Sequence, residues 1–525
     1  MMIGSAGKAF RVLLTPIALL LLFACADTAQ IPPAQSHGST SRLFGRAYDE
    51  ITTFYIAPRA PKDVALPALR RLTTLDPALA VVEEGDDLVL RDKDAVVTRL
   101  PQPGPRDAAG WGEITMALLT AATEDSTAVA RLSDDEREKA LFAGITATLD
   151  RFSRYSSPDA AREERAAREG FEGIGVTIDY ANEDVIVTSV VAGGPAERAG
   201  LRVDDRILAI DGAATGAMAH DEVVRRLRGP SDSQVEVILR RAGEAVPLRR
   251  MVGRAYIVVP TITAHRDGAT AVLRISSFNE HTNEMLRDEF EKLRRDGHGP
   301  LRGVVLDLRG NPGGLLDQAV SVAGAFLPSG RVVSTTGRNP SSNQEFEARR
   351  GDIAAGLPMA VVVNGGSASS AEIVAAALQD AGRAVVVGTS SYGKGTVQMV
   401  LRLPNDGELI LTWARLVTPA GYVLHEHGLV PSVCTSGEGE GEAALGALLR
   451  RSAQHNALAE KPRASLNEAE WSELRRRCPT QTKDRDIDIR AAERVLASPT
   501  LYAHLARVEL PAVIARGTVP HGGLQ

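Results

Sequence analysis

From Ala271 to Ala414 the chain alternates helical stretches with short, continuously apolar runs at 304–308, 360–363 and 384–387. Such runs lack the polar alternation of a strand that faces water, so both faces of each must be covered. A mostly parallel sheet between layers of helices meets that demand and predicts an α/β core. The most informative part is 361–398. It holds an apolar strand, a turn of small residues rich in serine, a helix, a second apolar strand, and Lys394 between Gly393 and Gly395.

Ser369 stands just ahead of the helix that opens Ser370, Ala371, Glu372. With Glu372 three residues on, it fits a capping box. A helix N-terminus also leaves backbone N–H groups unpaired, and these favour a developing negative charge. A serine there is placed to attack a carbonyl, with the N–H of Ser370 or its own as one oxyanion donor. None of the ten histidines sits in a triad context, so Lys394 is the candidate base. An ammonium with a reference pKa of about 10.4 keeps its proton at neutral pH, so burial has to lower it. Strand alternation would place Lys394, Thr396 and Gln398 on one face. The amide oxygen of Gln398 is then expected to accept from the lysine amine and aim it at Ser369. Two competing motifs fail. Residues 388–394 have the spacing of a P-loop, yet Gly395 stands where Ser or Thr is required and a strand follows instead of a helix. Residues 391–394 have Ser-x-x-Lys spacing, but the glycines around Lys394 oppose the helical turn that pattern needs.

Upstream, 169–254 reads as short strands and turns with two short helices. It resembles a PDZ domain in the permuted order found in bacterial proteases, most specifically at 193–212 (GGPAERAGLRVDDRILAIDG). In such a domain the loop Gly173, Ile174, Gly175, Val176 holds the terminal carboxylate of a peptide that adds a strand to the sheet edge.

At the N-terminus, Lys8 and Arg11 precede an apolar run at 12–24 and then Cys25. The run is shorter than the roughly 18–20 residues of a spanning helix and suits a signal peptide. Residues 22–25 resemble a bacterial lipobox, so 1–25 is expected to be a lipoprotein-type signal peptide and Cys25 the lipidated residue, anchoring a periplasmic protein to the membrane. A tether is expected at 26–42. A mainly helical region should follow at 43–168, with a β-hairpin at 81–97 and a capping box of Ser133 with Glu136. Residues 437–525 read as helices without a motif, suited to packing on the core or to a homo-oligomer contact. With Cys25 lipidated, Cys434 and Cys478 remain, and an even pair in an oxidising compartment favours a disulfide. The net charge of −6 leaves no basic footprint for nucleic acid.

The segment 366–380 (GSASSAEIVAAALQD), followed by 391–398 (SYGKGTVQ), resembles the carboxyl-terminal processing (tail-specific) protease family, serine-lysine peptidases with a PDZ domain ahead of the catalytic core. Residues 275–280, 306–314 and 418–433 match as well, so the resemblance spans roughly 140–433. It implies an α/β multidomain chain with a crotonase/ClpP-like serine protease core at 255–436. Ser369 is then the nucleophile, Lys394 the general base and Gln398 the residue that orients the lysine. The turn at 306–314 places Asp307, Gly310, Gly313 and Gly314 near the oxyanion hole, with Gly313, Gly314 and Ser370 as candidate donors. Arg228 matches a position that couples PDZ binding to activity and is a regulatory candidate. No metal or cofactor is implied, and His425 and His427 are expected to be exposed. The implied partners are protein or peptide substrates with free C-terminal tails, and an envelope adaptor that delivers them. Ser370, Ala371, Tyr392 and Ser432 depart from the family's usual residues, but none of these removes a catalytic group. The expected function is an envelope serine endopeptidase that captures C-terminal tails. Its rival is a catalytically silent peptide-binding scaffold that would tolerate loss of Ser369 or Lys394.

Overall fold

The structure, a computed structural model, describes residues 37–506 except 182–183, 350, 438, 455–457 and 459–460. Cys25, the apolar run before it and most of the expected tether lie outside the described residues. The first helix, His37–Phe54, begins inside the stretch read as tether.

The N-terminal region packs His37–Phe54, Pro61–Arg70, Ala108–Asp125 and Asp134–Thr146 around a shared core. Ser133 and Glu136 cap the last of these reciprocally, at 3.3 and 2.8 Å. The expected hairpin is a three-stranded antiparallel sheet, Leu79–Glu84, Asp87–Asp92 and Ala95–Pro101. A second turn at Lys93, with φ of 52°, adds the strand that the reading of 81–97 as two strands leaves out. This region is not closed on itself. Its core takes in Leu403, Leu409 and Leu411 from the catalytic half, and Arg154–Ser156 pairs with Glu408–Val417.

The PDZ unit is an antiparallel sheet in the order Leu248–Gly253, Gln234–Arg240, Arg206–Ile210, Asp184–Val190, Val176–Ala181. Val176–Ala181 is therefore an edge strand, and the helix His220–Leu227 lies beside it. Phe171–Gly173 pairs with Ala255–Ile257, so the chain enters and leaves this unit through one two-stranded ribbon.

The catalytic half has two sheets where one mostly parallel sheet was expected. The first runs Ile262–Asp267, Thr270–Ile275, Gly303–Asp307, Met359–Val363, Val385–Gly388, Val433–Cys434, parallel except for its first pair. The second is antiparallel: Gln344–Arg349, Ser329–Thr336, Glu408–Val417, Thr396–Arg402. The strand after Lys394 thus leaves the parallel sheet, which the apolar runs alone do not reveal.

Strand alternation explains the layers. Val304, Leu306, Val361, Val363 and Val386 face the helices Thr282–Arg295, Leu316–Phe326 and Ser370–Asp380. Val305, Ala360, Val362, Val385 and Val387 face the other way, onto Glu442–Ser452 and Asp486–Leu496. The C-terminal helices are the second cover of the sheet.

Candidate active site

Ser369 sits between the strand Met359–Val363 and the helix Ser370–Asp380, at φ 54° and ψ −115°. A non-glycine residue held at positive φ is strained, and it persists only where its surroundings impose it. Here they do. Asn364 Oδ1 accepts from the N–H groups of Gly310 and Gly366, both at 2.9 Å. Ser367 Oγ donates to the carbonyl of Leu308 at 2.8 Å, and the N–H of Ala368 reaches the carbonyl of Asn311 at 2.9 Å. The serine turn and the glycine turn are fastened to each other. Ser369 itself is half-buried and its hydroxyl caps nothing.

The oxyanion candidates divide. The N–H of Ser369 is taken by Glu372 at 2.8 Å and that of Gly313 by Asn311 Oδ1 at 2.8 Å. Those two are withdrawn as donors because each already has an acceptor. The N–H groups of Ser370 and Gly314 have no partner among the described residues. Ser370 Oγ donates to the Gly314 carbonyl at 2.8 Å, which draws the two segments together. Both glycines are sterically required. A Cβ on Gly313, φ 104°, would lie 2.8 Å from Ser369 Cβ, and one on Gly314 would lie 2.1 Å from the carbonyl oxygen of Phe278. Asp307 takes no part in this hole. It accepts from Arg309 and Arg274, and Arg309 continues to Asp488.

Lys394 lies in the segment 389–395, ahead of the strand Thr396–Arg402 and not on it. Its Nζ stands 5.4 Å from the centre of the Phe152 ring and makes no hydrogen bond among the described residues. Burial pushes its pKa below the ordinary lysine value and Arg154 pushes the same way, against the charges of Glu372 and Asp150. Gln398 does not reach it. The carboxamide nitrogen donates to the hydroxyls of Thr396 at 2.9 Å and Thr412 at 3.1 Å. A register shift between Val397 and Gln398 interrupts the alternation on which the expected lysine contact depended.

Glu372, read from sequence only as a cap, is fully buried and joins the two candidate residues. It accepts from the backbone N–H groups of Ser369, Gly393 (2.7 Å) and Lys394 (2.9 Å), and from the Ser391 hydroxyl. The only signal for it was an acid three residues into a helix whose next six residues are all apolar. Phe152 and Arg154 had no signal, since their proximity to Lys394 arises from the pairing of Arg154–Ser156 with a distant strand.

Cys434 and Cys478 are joined in a disulfide. The segment that follows Cys478 lies along the lysine segment. The carbonyl of Cys478 accepts from Ser390 Oγ at 2.6 Å, and that of Gln481 from the N–H of Gly365 at 2.7 Å. His425 and His427 are half-buried, contrary to expectation, because aromatic rings cover them. His425 meets Phe152 edge-on and His427 stacks on Trp471 at 4.7 Å. Among the described residues no cluster of His, Cys, Asp and Glu could hold a metal ion.

The PDZ unit carries a cleft of about 210 Å³ between the edge strand and the helix His220–Leu227. Ile174, Gly175, Val176 and Ile178 line one side, Val224 and Leu227 the other. Gly173 is buried in the ribbon strand and does not line it. Arg228 closes one end, 2.9 Å from Glu163 and over the Phe171 ring at 4.7 Å.

Residues 269–434 match the model of peptidase family S41, and 186–241 match a PDZ domain. Among curated relatives, a carboxy-terminal-processing protease of Bartonella bacilliformis is 38% identical over 309 residues, covering 58% of this chain and 70% of that protein. A probable CtpA-like serine protease of Staphylococcus aureus is 34% identical over 310 residues, 57% of this chain and 60% of that one. Among solved structures, a photosystem II D1 C-terminal processing protease aligns with 25% identity over 75% of this chain and 92% of its own, at a TM-score of 0.37. The chain belongs to peptidase family S41, with the carboxy-terminal-processing proteases, and is a serine-type peptidase that carries a PDZ domain.

Proposed function

We propose that the chain is an envelope endopeptidase in which Ser369 attacks the scissile carbonyl, Lys394 takes and returns the proton, and the PDZ cleft captures the substrate's C-terminal tail. The observation that carries this reading is the placement of Ser369 at positive φ on the head of a buried helix, beside N–H groups of Ser370 and Gly314 that have no partner among the described residues. Those two donors supply the oxyanion hole. The mostly parallel six-stranded sheet supports the crotonase/ClpP-like reading of the core.

Proton transfer needs the lysine amine within about 3 Å of the serine hydroxyl. Lys394 rests instead over Phe152, and activation is its turn toward Ser369. Gln398 receives the amine when its carboxamide leaves the two threonines. Tail capture is linked to this step through the helix Pro158–Glu169. Glu163, Ala166 and Ala167 of that helix line the peptide cleft, and its Glu164 holds Arg154 at 2.8 Å, two residues beyond Phe152. Arg228 acts at the same place by fixing Glu163. Anchoring through Cys25 puts the enzyme on the periplasmic face of a membrane, and no described helix is long and apolar enough to cross one.

The test is cleavage of an unstructured protein with an apolar C-terminal tail by the soluble mature chain and its Ser369→Ala and Lys394→Ala forms. Cleavage by the parent and its loss in both variants is the expected result. Retained cleavage in either variant would discard the dyad. A parent that binds the tail and cuts nothing, with or without an adaptor, would favour the scaffold.

A further inference from the structure

Among the described residues, two serine–glutamate pairs with capping-box spacing stand at the start of a helix, and they behave differently. Ser133 and Glu136 are exposed and exchange bonds reciprocally, as a helix cap requires. Ser369 and Glu372 do not. The serine hydroxyl returns nothing, and the glutamate is fully buried. A cap alone does not account for a buried carboxylate, whose desolvation is costly unless several donors answer it.

Four donors do. Oε2 of Glu372 accepts from the N–H of Ser369 at 2.8 Å and from that of Lys394 at 2.9 Å. Oε1 accepts from the N–H of Gly393 at 2.7 Å and from the hydroxyl of Ser391. The Ser391 oxygen is itself the acceptor for the N–H of Leu429 at 2.7 Å, so its proton goes to Glu372. Donors occupy both oxygens and no acceptor among the described residues faces them, an arrangement that suits the ionised form. Burial works in the opposite direction and raises the pKa of this carboxyl.

We propose that Glu372 is the positioning residue of the dyad: a single buried carboxylate oxygen sets the backbone of the nucleophile and that of the base in one frame, and its charge tunes the lysine. This rests on the reading of Ser369 and Lys394 as nucleophile and base. The serine helix and the lysine segment are separate in the chain, and Glu372 is the side chain that bonds to both. Other charged groups share the neighbourhood. Arg154 and Asp150 face Lys394 from the strand Arg154–Ser156 and the turn before it, and His425 flanks Phe152. Arg475 and Tyr422 face Glu372 from the C-terminal helix Glu468–Arg477 and the turn after Val417. Among these, Glu372 and Asp150 hold the proton on Lys394.

The experiment is the pH profile of kcat and KM for tail-bearing substrate, with the parent, Glu372→Gln, Glu372→Asp and Ser391→Ala compared against Ser369→Ala and Lys394→Ala. Glu372→Gln turns two amide hydrogens toward donors, so kcat should fall about a hundredfold, with KM and tail binding within about twofold of the parent. Its residual activity should show an acid limb at lower pH, because the lysine loses a neighbouring negative charge. Glu372→Asp keeps the charge and shortens the reach, so kcat should fall with the limb unmoved. If Glu372→Gln shows no cooperative melting, Ser391→Ala decides: it removes one donor, and kcat should drop several-fold at constant KM. A kcat within about twofold of the parent in the folded variants, or a loss confined to KM and melting temperature with an unmoved limb in the Gln form, would overturn the proposal. Cleavage surviving in Ser369→Ala or Lys394→Ala would instead overturn the dyad, whatever Glu372 does.

Discussion

Lys394 is pulled in opposite directions by its neighbours. Burial and the Arg154 guanidinium lower its pKa, while Glu372 and Asp150 raise it. Arg154 is exposed and can be changed without opening the core. In Arg154→Gln the lysine loses a repelling positive charge, so its pKa rises and less free amine is present at a given pH. The acid limb of kcat/KM should therefore move to higher pH, by a few tenths of a unit given solvent screening at an exposed site. A limb that stays in place, or moves lower, would show that Lys394 is not the group it reports. Sequence made both members of the proposed dyad legible, because a serine ahead of a helix and a lysine between glycines are local patterns. It placed Lys394 on a strand with Gln398, and there it failed. The register shift at Gln398 and the loop conformation of 389–395 are set by partners far away in the chain. The same limit applies to the candidate oxyanion donors. Ser370 and Gly314 differ from Ser369 and Gly313 only in whether Glu372 or Asn311 has already taken the N–H.

At the level of elements, the serine helix is fastened at both ends by carboxylates. Glu372 holds its start. At its end Asp380 is buried, accepts from the N–H of Ala420 at 2.9 Å, and is faced by Arg463. Burial pushes the Asp380 carboxyl up to about 6. With an unfolded value of about 3.9, this group favours the folded state most below about pH 4, and the contribution is lost as pH rises through about 6. The gap corresponds to on the order of 3 kcal/mol. Asp380→Asn keeps an acceptor for Ala420 and removes the titration. The drop in melting temperature between about pH 4.5 and about pH 7.5 should be smaller in the variant than in the parent. Equal drops would mean that Asp380 does not titrate in that window. The helix itself was plain from its apolar run and small-residue start. Its anchoring was not, since Ala420 and Arg463 reach it only through tertiary packing.

For the whole molecule, units differ in whether their cores close within themselves. The PDZ core from Ile174 to Val252 draws on no buried apolar residue outside that unit, and its entry and exit strands pair with each other. The catalytic core does not close. Val272, Val305, Val362, Val385 and Val387 are covered by helices that begin only at Glu442. At roughly 1.5 kcal/mol each, uncovering five valines forfeits on the order of 7 kcal/mol, comparable with the roughly 5–15 kcal/mol that holds a folded chain together. The apolar strands announced in the sequence that both faces were buried, and the unmatched C-terminal helices are what buries the second. A fragment of residues 158–260, which keeps the helix that lines the cleft, should therefore melt cooperatively and bind an apolar-tailed peptide. The chain truncated after Ser436 should keep the transition of the PDZ unit, lose that of the catalytic half and cut nothing, even though it retains Ser369, Glu372 and Lys394. Circular dichroism melts of the two fragments beside the full chain decide the matter. If the truncated chain kept the transition of the catalytic half and cut substrate, the C-terminal helices would be a removable cover, and the segment after Cys478 would have no part in holding the lysine segment in place.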